Sequence, residues 1–379
     1  MINKSLGILG GGQLGRMLVE KANAWNLKCL ILDKNENYPA GNVGAEFVVG
    51  DFDNYQDVLD FGRKVDVLTV EIEHVNLDAL RQLQKEGKKI HPNPEALHII
   101  KDKGLQKEFY TNNGFPTSPF TLFPDSDLIV EAVNKGKITL PFVQKSRLSG
   151  YDGRGVFIVK SVFDLDNLLK GPSLVEEMVQ IDTEISVIAA RNEAGEIICY
   201  PAVDMEFHPI ANLVEYVSYP SIVPQSIQEK ATQLAGELIA KLQISGLLAV
   251  EFFVDKSGGL IINEIAPRPH NSGHLSMNAA KTSQFEQHLR GVLNLPLGEA
   301  QFMSPGVMVN LLGQVGYSGN VKIEGTLSAF QEKGTYLHWY GKDTTKPYRK
   351  MGHANVLHSD VRKAMKIAKK ISSLFQIIS

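Results

Sequence analysis

The stretch 247-LLAVEFFVDKSGGLIINEIA-266 predicts a β-hairpin in the second half of the chain. Two runs rich in branched and aromatic residues flank the turn Lys256-Ser257-Gly258-Gly259, an arrangement typical of two antiparallel strands. In a turn symmetric about its two central residues, the numbers of paired residues add to a constant. We therefore expect Val254 to pair with Ile261, and this register decides which side chains share a face.

The same register places Glu251 directly opposite Glu264. Like charges opposed at about 5 Å destabilise a sheet, and one carboxyl should stay protonated unless a cation lies between the two. A hard divalent cation with oxygen ligands, here Mg²⁺ carrying a nucleotide phosphate, would remove the conflict. The alternative is a solvated hairpin whose charges face water, which the otherwise apolar strands disfavour.

Composition and charge exclude several classes of protein. The chain has 379 residues, 43% hydrophobic and 21% charged, which suits a globular protein of two or three domains. A net charge of −3 provides no footprint for nucleic acid, and no basic run predicts a membrane partner. Cys29 and Cys199 lie in apolar runs and are expected to be buried thiols. The apolar run near the N-terminus is too short for a signal peptide, so we expect a cytoplasmic location.

Strands and helices alternate over residues 1–97, which predicts a Rossmann-like α/β domain with a parallel sheet. Its predicted strands include 65-VDVLTVEIE-73 and a short strand near Lys89-Ile90 that follows a helix over residues 77–86. The prolines in 91-HPNPEAL-97 mark the exit, and one helix is expected over residues 95–112, with Gly114 as its C-cap.

Short strands and glycine turns dominate the rest of the chain. We expect an α+β domain with mostly antiparallel sheet over residues 98–298 and a small β-rich domain over 299–379. The chain should end in an amphipathic helix. Its apolar stripe consists of Val361, Ala364, Ala368, Ile371, Phe375 and Ile378.

A glycine motif, 10-GGGQLG-15, follows the first strand, and Asp33 ends the second. This context suits backbone N–H groups that approach an anion at a helix N-terminus. Three interpretations stay open. The anion is a dinucleotide pyrophosphate, it is the monophosphate of a substrate, or the glycines serve only tight packing of strand against helix.

A second glycine-rich segment, 145-KSRLSGYDGRGV-156, joins two strand-like runs and interleaves glycines with Lys145, Arg147 and Arg154. Such a loop can fold over phosphates and donate backbone N–H groups. It lacks the Gly-Lys-Ser/Thr of a Walker A loop. The alternative is an exposed hairpin tip.

The acidic segment 175-VEEMVQIDTEIS-186 carries Glu176, Glu177 and Glu184. An exposed backbone there would pair with an adenine edge, and a carboxylate would accept the ribose hydroxyls. Taken alone, the segment is better explained as a solvated acidic edge.

Polar groups crowd the segment 263-NEIAPRPHNSGH-274, directly after the carboxylate hairpin, and indicate a substrate pocket. Zinc bound by His270 and His274 is disfavoured, because no cysteine or third histidine lies at ligand spacing. The segment 71-EIEHV-75 ends a parallel strand, where open α/β sheets bind ligands. The basic loop 341–353, with Lys342 and Arg349, suits an anionic substrate or is a solvated loop.

Together these segments resemble the ATP-grasp superfamily and, within it, the 5-(carboxyamino)imidazole ribonucleotide synthases of purine biosynthesis. The resemblance covers nearly the whole chain in order. The motifs are GILGGGQLGRM, TVEIEHV, HPNPEALHIIKDK, KSRLSGYDGRG, AVEFFVD, NEIAPRPHNSGH and YGK…RKMGH.

The resemblance implies three domains in a homodimer: a Rossmann-like domain, an ATP-grasp domain and a small C-terminal domain. It implies an ATP-dependent ligase that uses Mg²⁺ and converts bicarbonate and 5-aminoimidazole ribonucleotide to the N-carboxylated ribonucleotide, ADP and phosphate. Carboxyphosphate would be the intermediate, and water must be excluded from it.

Carried over by position, the resemblance also implies a site. Glu251 and Glu264 would hold the metal. The implied ATP contacts are Lys103, Lys145, Gly150, Tyr151, Asp152, Gly153, Arg154, Gly155, Val156, Glu176, Glu177, Met178, Val179, Glu184, His208, Asn263 and Glu264. The implied substrate contacts are Gly12, Gln13, Leu14, Glu73, Tyr151, Arg154, Asn271, Ser272, Lys342 and Arg349. The implied catalytic residues are Arg268, His270, Asp152 and Lys342, with His270 or Asp152 as the base for the amine proton.

The chain departs from the family pattern at three positions. Lys103 stands where arginine is common, which replaces a bidentate phosphate contact by a point charge. The spacing before His208 differs, and Ala266 stands where many relatives have an asparagine near the metal. Other functions considered are a nicotinamide-dependent oxidoreductase, a nucleotide-sensing module, and a formate- or biotin-dependent ATP-grasp ligase.

Overall fold

Three sheets organise the protein, described here by a computed structural model for residues 3–148 and 155–379. The first sheet is parallel, the second is small and antiparallel, and the third is large and antiparallel. The arrangement confirms the predicted combination of α/β and α+β folds. None of the helices in these two ranges has the length and apolar character needed to cross a bilayer.

The first sheet has the strand order β3-β2-β1-β4-β5, and every neighbouring pair is parallel. This is the predicted Rossmann-like layer. Its strands are β1 (Ser5–Leu9), β2 (Lys28–Asp33), β3 (Glu46–Val49), β4 (Val67–Val70) and β5 (Lys89–His91). Its helices are α1 (Gln13–Asn23), α2 (Tyr55–Arg63), α3 (Leu77–Lys85) and α4 (Pro94–Lys101).

The helix predicted over residues 95–112 is wrong as a single element, because α4 ends at Lys101 and α5 begins at Lys103. Asp102 separates the two helices with an extended backbone, and its side chain accepts hydrogen bonds from the backbone N–H groups of Gly104 and Leu105. An aspartate N-cap therefore starts a second helix.

The second sheet has the order β6-β9-β7-β8 and is antiparallel throughout. Its strands are β6 (Phe120–Phe123), β7 (Phe142–Ser146), β8 (Val156–Val159) and β9 (Ser173–Glu177). Helices α5 (Lys103–Asn112) and α6 (Ser126–Asn134) and a 3-10 turn at Val162–Asn167 accompany it.

The third sheet has the order β15-β14-β10-β12-β13-β16-β21-β19, with β11 paired to β10. Strands from the C-terminal segment therefore extend the central sheet directly, through the antiparallel pair β13–β16. The strands are β10 (Ile181–Arg191), β11 (Ile197–Cys199), β12 (Val203–Phe207), β13 (Val214–Tyr219), β14 (Gly246–Asp255), β15 (Leu260–Ala266), β16 (Gly306–Leu312), β19 (Thr335–Trp339) and β21 (Lys350–Leu357). Two short ladders lie beside it, β17 (Gly319–Asn320) with β20 (Thr344–Thr345), and β18 (Lys322–Glu324) with β22 (Gln376–Ile378).

Helices α7 (Gln225–Lys241), α8 (Ser276–Ala279), α9 (Gln284–Val292), α10 (Thr326–Phe330) and α11 (Val361–Leu374) complete the chain. The predicted terminal helix is correct up to Leu374 and wrong beyond it. Phe375 adopts an extended backbone, and Ile378 belongs to β22, where hydrogen bonding to β18 replaces further helix.

One hydrophobic core joins the first sheet to the later segments. Phe285 and Leu289 of α9 and Tyr340 pack with Leu14 and Leu18 of α1. The junction between the segments is therefore an apolar interior, which fixes the parts of the site relative to one another.

The two cysteines are both free. Cys29 is buried and Cys199 is half-buried, and burial raises the pKa of each thiol to about 12. Neither thiol is poised for reaction at neutral pH.

Candidate active site

The carboxylate hairpin forms as predicted at its functional end. Glu251 of β14 pairs with Glu264 of β15, which confirms the predicted juxtaposition. Nearer the turn the predicted register is wrong by one residue, since Val254 pairs with Leu260 instead of Ile261. The pairing shifts by one residue between these two positions, at the step from Phe252 to Glu251.

Asn263 is the extra residue of a β-bulge, because the pairing shifts between Phe252 and Glu251. A bulge re-aims the neighbouring side chains. The Oδ1 of Asn263 accepts a hydrogen bond from Lys145 Nζ at 3.1 Å. The bulge therefore places the Asn263 amide beside Lys145, the side chain that also forms an ion pair with Glu176.

Glu251 lies in an unfavourable electrostatic environment. Burial, followed by the charges of Glu264 and Glu184, raises the pKa of its carboxyl to about 8, against the opposing effect of Lys103 and Lys350. The Nζ of Lys103 lies 2.8 Å from Glu264 Oε1. These oxygen donors fit a hard cation such as Mg²⁺.

The described part of the chain contains no group of three or more His, Cys, Asp or Glu side chains arranged to hold a metal ion. Any cation at Glu251 and Glu264 would therefore take its remaining ligands from phosphate oxygens or water.

Glu176 is the centre of a buried ionic cluster. It is 4% exposed, forms ion pairs with Lys107 and with Lys145 at 2.6 Å, and accepts a hydrogen bond from Ser118 Oγ at 2.6 Å. Burial alone would raise the pKa of Glu176, but Lys145 and Lys107 outweigh it and hold the pKa at about 2. The solvated-edge alternative is wrong for Glu176 and correct for its exposed neighbour Glu177.

The segment after β9 leads from this cluster to the large sheet. Met178 and Val179 lie past the end of the strand, with Met178 exposed. Glu184 lies on β10, and burial raises its pKa to about 7 against the opposing charge of Lys145. Lys145 therefore acts on both Glu176 and Glu184, which places the two carboxylates around one cation.

Side chains from the N-terminal and C-terminal segments meet the hairpin region. Arg268 Nε lies 2.8 Å from Glu73 Oε1, and Lys342 Nζ donates to Gln13 Oε1 at 2.7 Å. Each pair joins residues that are far apart in the sequence, and Lys342 and Gln13 are separated by 329 positions.

The glycine turn binds an internal carboxylate. The N–H groups of Gly12 and Gly15 donate to Glu71 at 2.9 and 2.7 Å, and Gly11 N–H donates to Asp33 at 2.6 Å. A Cβ added to Gly12 would lie 2.4 Å from Glu71 Oε1. This favours the packing interpretation over the dinucleotide one, because Asp33 and all three of these N–H donors already have partners within the protein.

Three predicted substrate contacts lie at this turn. The Gly12 N–H donates to Glu71 in this structure, and a contact of Gly12 with the substrate stays a prediction. The side chain of Leu14 lies in the core, and that of Gln13 contacts Lys342. Sequence reasoning missed Glu71, although its place directly after a strand end and beside a glycine turn was a usable signal.

His270 lies between the hairpin and two serines. Its Nε2 is 3.6 Å from Glu251 Oε1, and its Nδ1 is 2.9 Å from Ser272 Oγ. Ser272 is 1% exposed, and its hydroxyl contacts the ring nitrogen of His270 that faces away from Glu251. Both amide atoms of Asn271 are buried without a hydrogen-bond partner in the described ranges, which leaves them for a ligand or water.

His274 belongs to a stack of three imidazole rings. Its centroid is 4.5 Å from that of His353, which in turn lies 4.5 Å from His338. The Nδ1 of His274 lies 2.8 Å from Gln284 Nε2. Because this ring is stacked in the interior, the disfavoured zinc pairing of His270 with His274 finds no support.

Two predicted residues lie beside the basic loop. His208 Nδ1 accepts from the backbone of Ile210 and Ala211, and its ring packs on Tyr348, with centroids 5.2 Å apart. Arg349 Nη1 donates to the carbonyl of Thr344 at 2.6 Å. Within residues 3–148 and 155–379, no contact links His208 to the buried ionic cluster of Glu176. The role of His208 in ATP binding therefore stays a prediction.

Part of the predicted phosphate loop can be placed. Gly155 has a φ of +74° and accepts from Ser146 N–H at 2.8 Å, and Val156 begins β8. Five other predicted site residues lie outside the described residues: Gly150, Tyr151, Asp152, Gly153 and Arg154.

Comparison with protein families matches three consecutive parts of the chain. Residues 3–101 match the ribonucleotide synthetase preATP-grasp domain, 108–285 the ATP-grasp domain, and 306–367 the phosphoribosylaminoimidazole carboxylase C-terminal domain. The N5-carboxyaminoimidazole ribonucleotide synthase of Bacillus subtilis is 35% identical, over 92% of this chain and 90% of its own length. The chain belongs to the N5-carboxyaminoimidazole ribonucleotide synthase family.

Solved structures of this family agree in fold. The synthetase from Thermotoga maritima has a TM-score of 0.91 at 40% identity, with 99% of each chain covered. The Aspergillus clavatus enzyme, in complex with ADP and 5-aminoimidazole ribonucleotide, has a TM-score of 0.89 at 31% identity, with 98% of each chain covered. Family membership makes this chain an ATP-grasp ligase.

Longer relatives share the same region. The phosphoribosylaminoimidazole carboxylase of Ogataea methanolica is 38% identical over 94% of this chain and 67% of its own length. The chain thus spans about two thirds of the length of these longer curated relatives.

Proposed function

We propose that the protein uses ATP and bicarbonate to carboxylate the exocyclic amine of 5-aminoimidazole ribonucleotide, with ADP and phosphate as the other products. The observation that carries the proposal is the facing pair Glu251 and Glu264, with Lys103 ion-paired to Glu264. Two opposed carboxylates next to a lysine suit a metal–phosphate group.

ATP would lie between the small and the large sheet. Lys103 and Lys145 would neutralise phosphate charge, the backbone of Met178 and Val179 would meet the adenine edge, and Glu184 would accept the ribose hydroxyls. Mg²⁺ held by Glu251 and Glu264 would supply further neutralisation of charge on the transferring phosphoryl group. Support comes from the lysine-rich surroundings of the two sheets.

The second substrate would lie at the junction of the segments. Arg268 and Lys342 carry positive charge toward the bicarbonate and ribonucleotide, and each is already held by a residue of the first segment. Asn271 has an amide without a partner in the described ranges, which suits it to contact the ribonucleotide. Closing this junction over carboxyphosphate would protect it from water.

The test is ADP release with each candidate acceptor, measured with and without bicarbonate. The proposal requires that both 5-aminoimidazole ribonucleotide and bicarbonate stimulate ADP release, and that a carboxylated ribonucleotide accumulates. ADP release that depends on formate, or that ignores the ribonucleotide, would contradict it. The variant Glu251→Gln is the matched control for a contaminating ATPase.

We propose further that the protein acts in the cytoplasm as a homodimer, with small-molecule substrates and without a nucleic-acid or membrane partner. The net charge of −3 and the absence of a basic patch in the composition support this. Light scattering at micromolar concentration tests the dimer, and a monomeric mass would overturn it.

A further inference from the structure

A chain of hydrogen bonds runs from the large sheet to His270. Ser186 Oγ lies 2.8 Å from Ser272 Oγ, and Ser272 Oγ lies 2.9 Å from His270 Nδ1. Both serines are 1% exposed. The other ring nitrogen, Nε2, faces Glu251 Oε1 at 3.6 Å. The imidazole therefore has a buried hydroxyl relay on one side and the carboxylate site on the other.

The direction of this chain follows from one backbone group. The N–H of Ser272 also points at His270 Nδ1, at 3.3 Å, and an N–H can only donate. Nδ1 is consequently an acceptor, so the proton of the neutral ring is on Nε2. Ser272 Oγ then donates to Nδ1 as well, and its lone pair accepts from Ser186.

We propose that Ser186 is a positioning residue, which acts through the Ser272 hydroxyl to hold the ring of His270 in the orientation that aims its Nε2–H at Glu251 and the reacting groups. The Ser186 hydroxyl donates to Ser272 Oγ, so its removal frees the Ser272 hydroxyl to rotate away from His270. His270 would then donate a hydrogen bond in this state instead of accepting the amine proton at Nε2. The catalytic consequence rests on the proposed function.

The sheet explains why this serine is suited to the task. Ser186 of β10 pairs directly with Glu251 of β14, so the same ladder position fixes the carboxylate and the start of the relay. A cavity of about 10 Å³ adjoins both serines, with Tyr200 and Phe302 among its walls. This space is about the size of one water and also suits one added methyl group.

The structural test is ¹⁵N NMR of the protein labelled in histidine, with His270→Gln used to assign the His270 signals. We expect a pyridine-type Nδ1 and a pyrrole-type Nε2 in the wild type. Because the Ser272 backbone N–H still donates to Nδ1, Ser186→Ala should keep this tautomer but weaken the hydrogen bond from the Ser272 hydroxyl, which moves the Nδ1 signal. Ser186→Thr, which keeps the hydroxyl and places its methyl toward the cavity, should leave the Nδ1 signal at its wild-type position. Ser272→Ala should behave as Ser186→Ala, which keeps the test available if Ser186→Ala does not fold.

The kinetic test uses the same variants. Ser186→Ala should lower kcat by about tenfold to a hundredfold, as expected for groups that orient a functional imidazole, with the Michaelis constant for ATP unchanged and Ser186→Thr near wild type. Ser245→Ala, which removes another buried serine hydroxyl, is the control. An Nδ1 signal at the wild-type position in both Ser186→Ala and Ser272→Ala would overturn the proposal, as would equal losses in Ser186→Thr and Ser186→Ala. Wild-type protein with the expected tautomer but no bicarbonate-dependent activity would overturn the proposed function and leave the positioning role standing.

Discussion

Glu251 faces Glu264 across the carboxylate hairpin, and burial beside this second carboxylate raises the pKa of Glu251 to about 8. A carboxyl with a raised pKa in the folded state favours folding when it is protonated. Its contribution to the free energy of unfolding is therefore complete below pH about 4.5, its ordinary pKa, and is lost as the pH rises toward 8. The metal-free protein carries this penalty at neutral pH.

Replacing Glu251 by glutamine should stabilise the metal-free protein at pH 8, because the variant removes the ionisation. Each kcal/mol gained would raise Tm by less than the 2–4 °C expected for about 150–250 residues, because the entropy of unfolding grows with chain length. The same change should lower Mg²⁺-dependent turnover by about 100-fold or more, since a charge-stabilising group is lost. Calorimetry and ADP release measure the two effects, with Glu237→Gln, at an exposed position on α7, as control. Near wild-type turnover in both Glu251→Gln and Glu264→Gln would refute the metal assignment.

Sequence periodicity predicted the parts of the site that depend on alternation in strands. The Glu251–Glu264 pair follows from counting residues outward from the turn. Near the turn the pairing differs from the count by one residue, and the extra residue of the bulge, Asn263, restores the predicted pairing at Glu251. A bulge has no clear signature in a single sequence, since it depends on how the two strands twist. The split between α4 and α5 was missed because the apolar pattern continues through Asp102, whose capping bonds are local.

Long-range contacts could not be predicted from spacing. The pairing of Lys342 with Gln13 joins the two ends of the chain, and that of Arg268 with Glu73 joins two sheets. Their formation depends on how the segments pack through α1 and α9, which a pattern along the chain does not encode. The glycine motif misled for a related reason, because the anion that it binds comes from Glu71, 56 residues after Gly15.

Glu176→Gln should destabilise the protein, because Lys107 would remain buried at 3% exposure without its carboxylate. Removing one partner of a buried ion pair costs about 3–5 kcal/mol. Urea denaturation measures the change in the free energy of unfolding. Glu177→Gln, at the exposed neighbouring position, should change it by less than about 0.5 kcal/mol. Equal effects of the two substitutions would show that the buried cluster adds no stability.

Arg349→Ala should raise the Michaelis constant for 5-aminoimidazole ribonucleotide by roughly tenfold to a hundredfold, about 1.4 to 2.8 kcal/mol. The guanidinium is oriented by Thr344, in the loop whose Lys342 reaches Gln13, so this loop lies at the segment junction rather than beside Lys145. The Michaelis constant for ATP should barely move. Arg362→Ala, an exposed arginine on α11, is the control. A parallel rise in the ATP constant would assign the loop to the nucleotide.

The stack of His274, His353 and His338 should make the protein sensitive to acid. Burial lowers the pKa of all three, that of His338 to about 4, below the ordinary value of 6.5. At these three side chains the unfolded chain therefore binds more protons below pH 6.5, and their contribution to the free energy of unfolding falls as the pH decreases from 7 toward 4, opposite in sign to that of Glu251. The free energy of unfolding changes by about 1.4 kcal/mol per pH unit for each histidine that titrates only on unfolding.

Urea denaturation at pH 7, 6 and 5 tests this acid sensitivity. His338→Gln keeps a side-chain donor for Asn278, which lies 2.9 Å from His338 Nε2, and should reduce the slope by one proton. His74→Gln, at an exposed histidine, should reduce it much less. The same dependence of the free energy of unfolding on pH in the wild type and in His338→Gln would contradict the account.

Glu71→Gln separates a packing role of the glycine turn from a ligand-binding one. The carboxylate accepts from Gly12 and Gly15 with one oxygen each, and an amide would turn an NH₂ group toward one of these donors. Leaving a partly buried N–H without an acceptor costs about 1–3 kcal/mol, so Tm should fall. The Michaelis constants should change little if the turn only packs strand against helix.

If the turn instead bound a substrate phosphate, Glu71 would be a competing anion. Removing its charge would then lower the Michaelis constant for the ribonucleotide while Tm changed little. The matched control is Glu20→Gln, an exposed glutamate on α1 that pairs with Arg16 and lies away from the glycine N–H groups. Because the packing role and the phosphate role move Tm and the Michaelis constant in different combinations, one pair of variants decides between them.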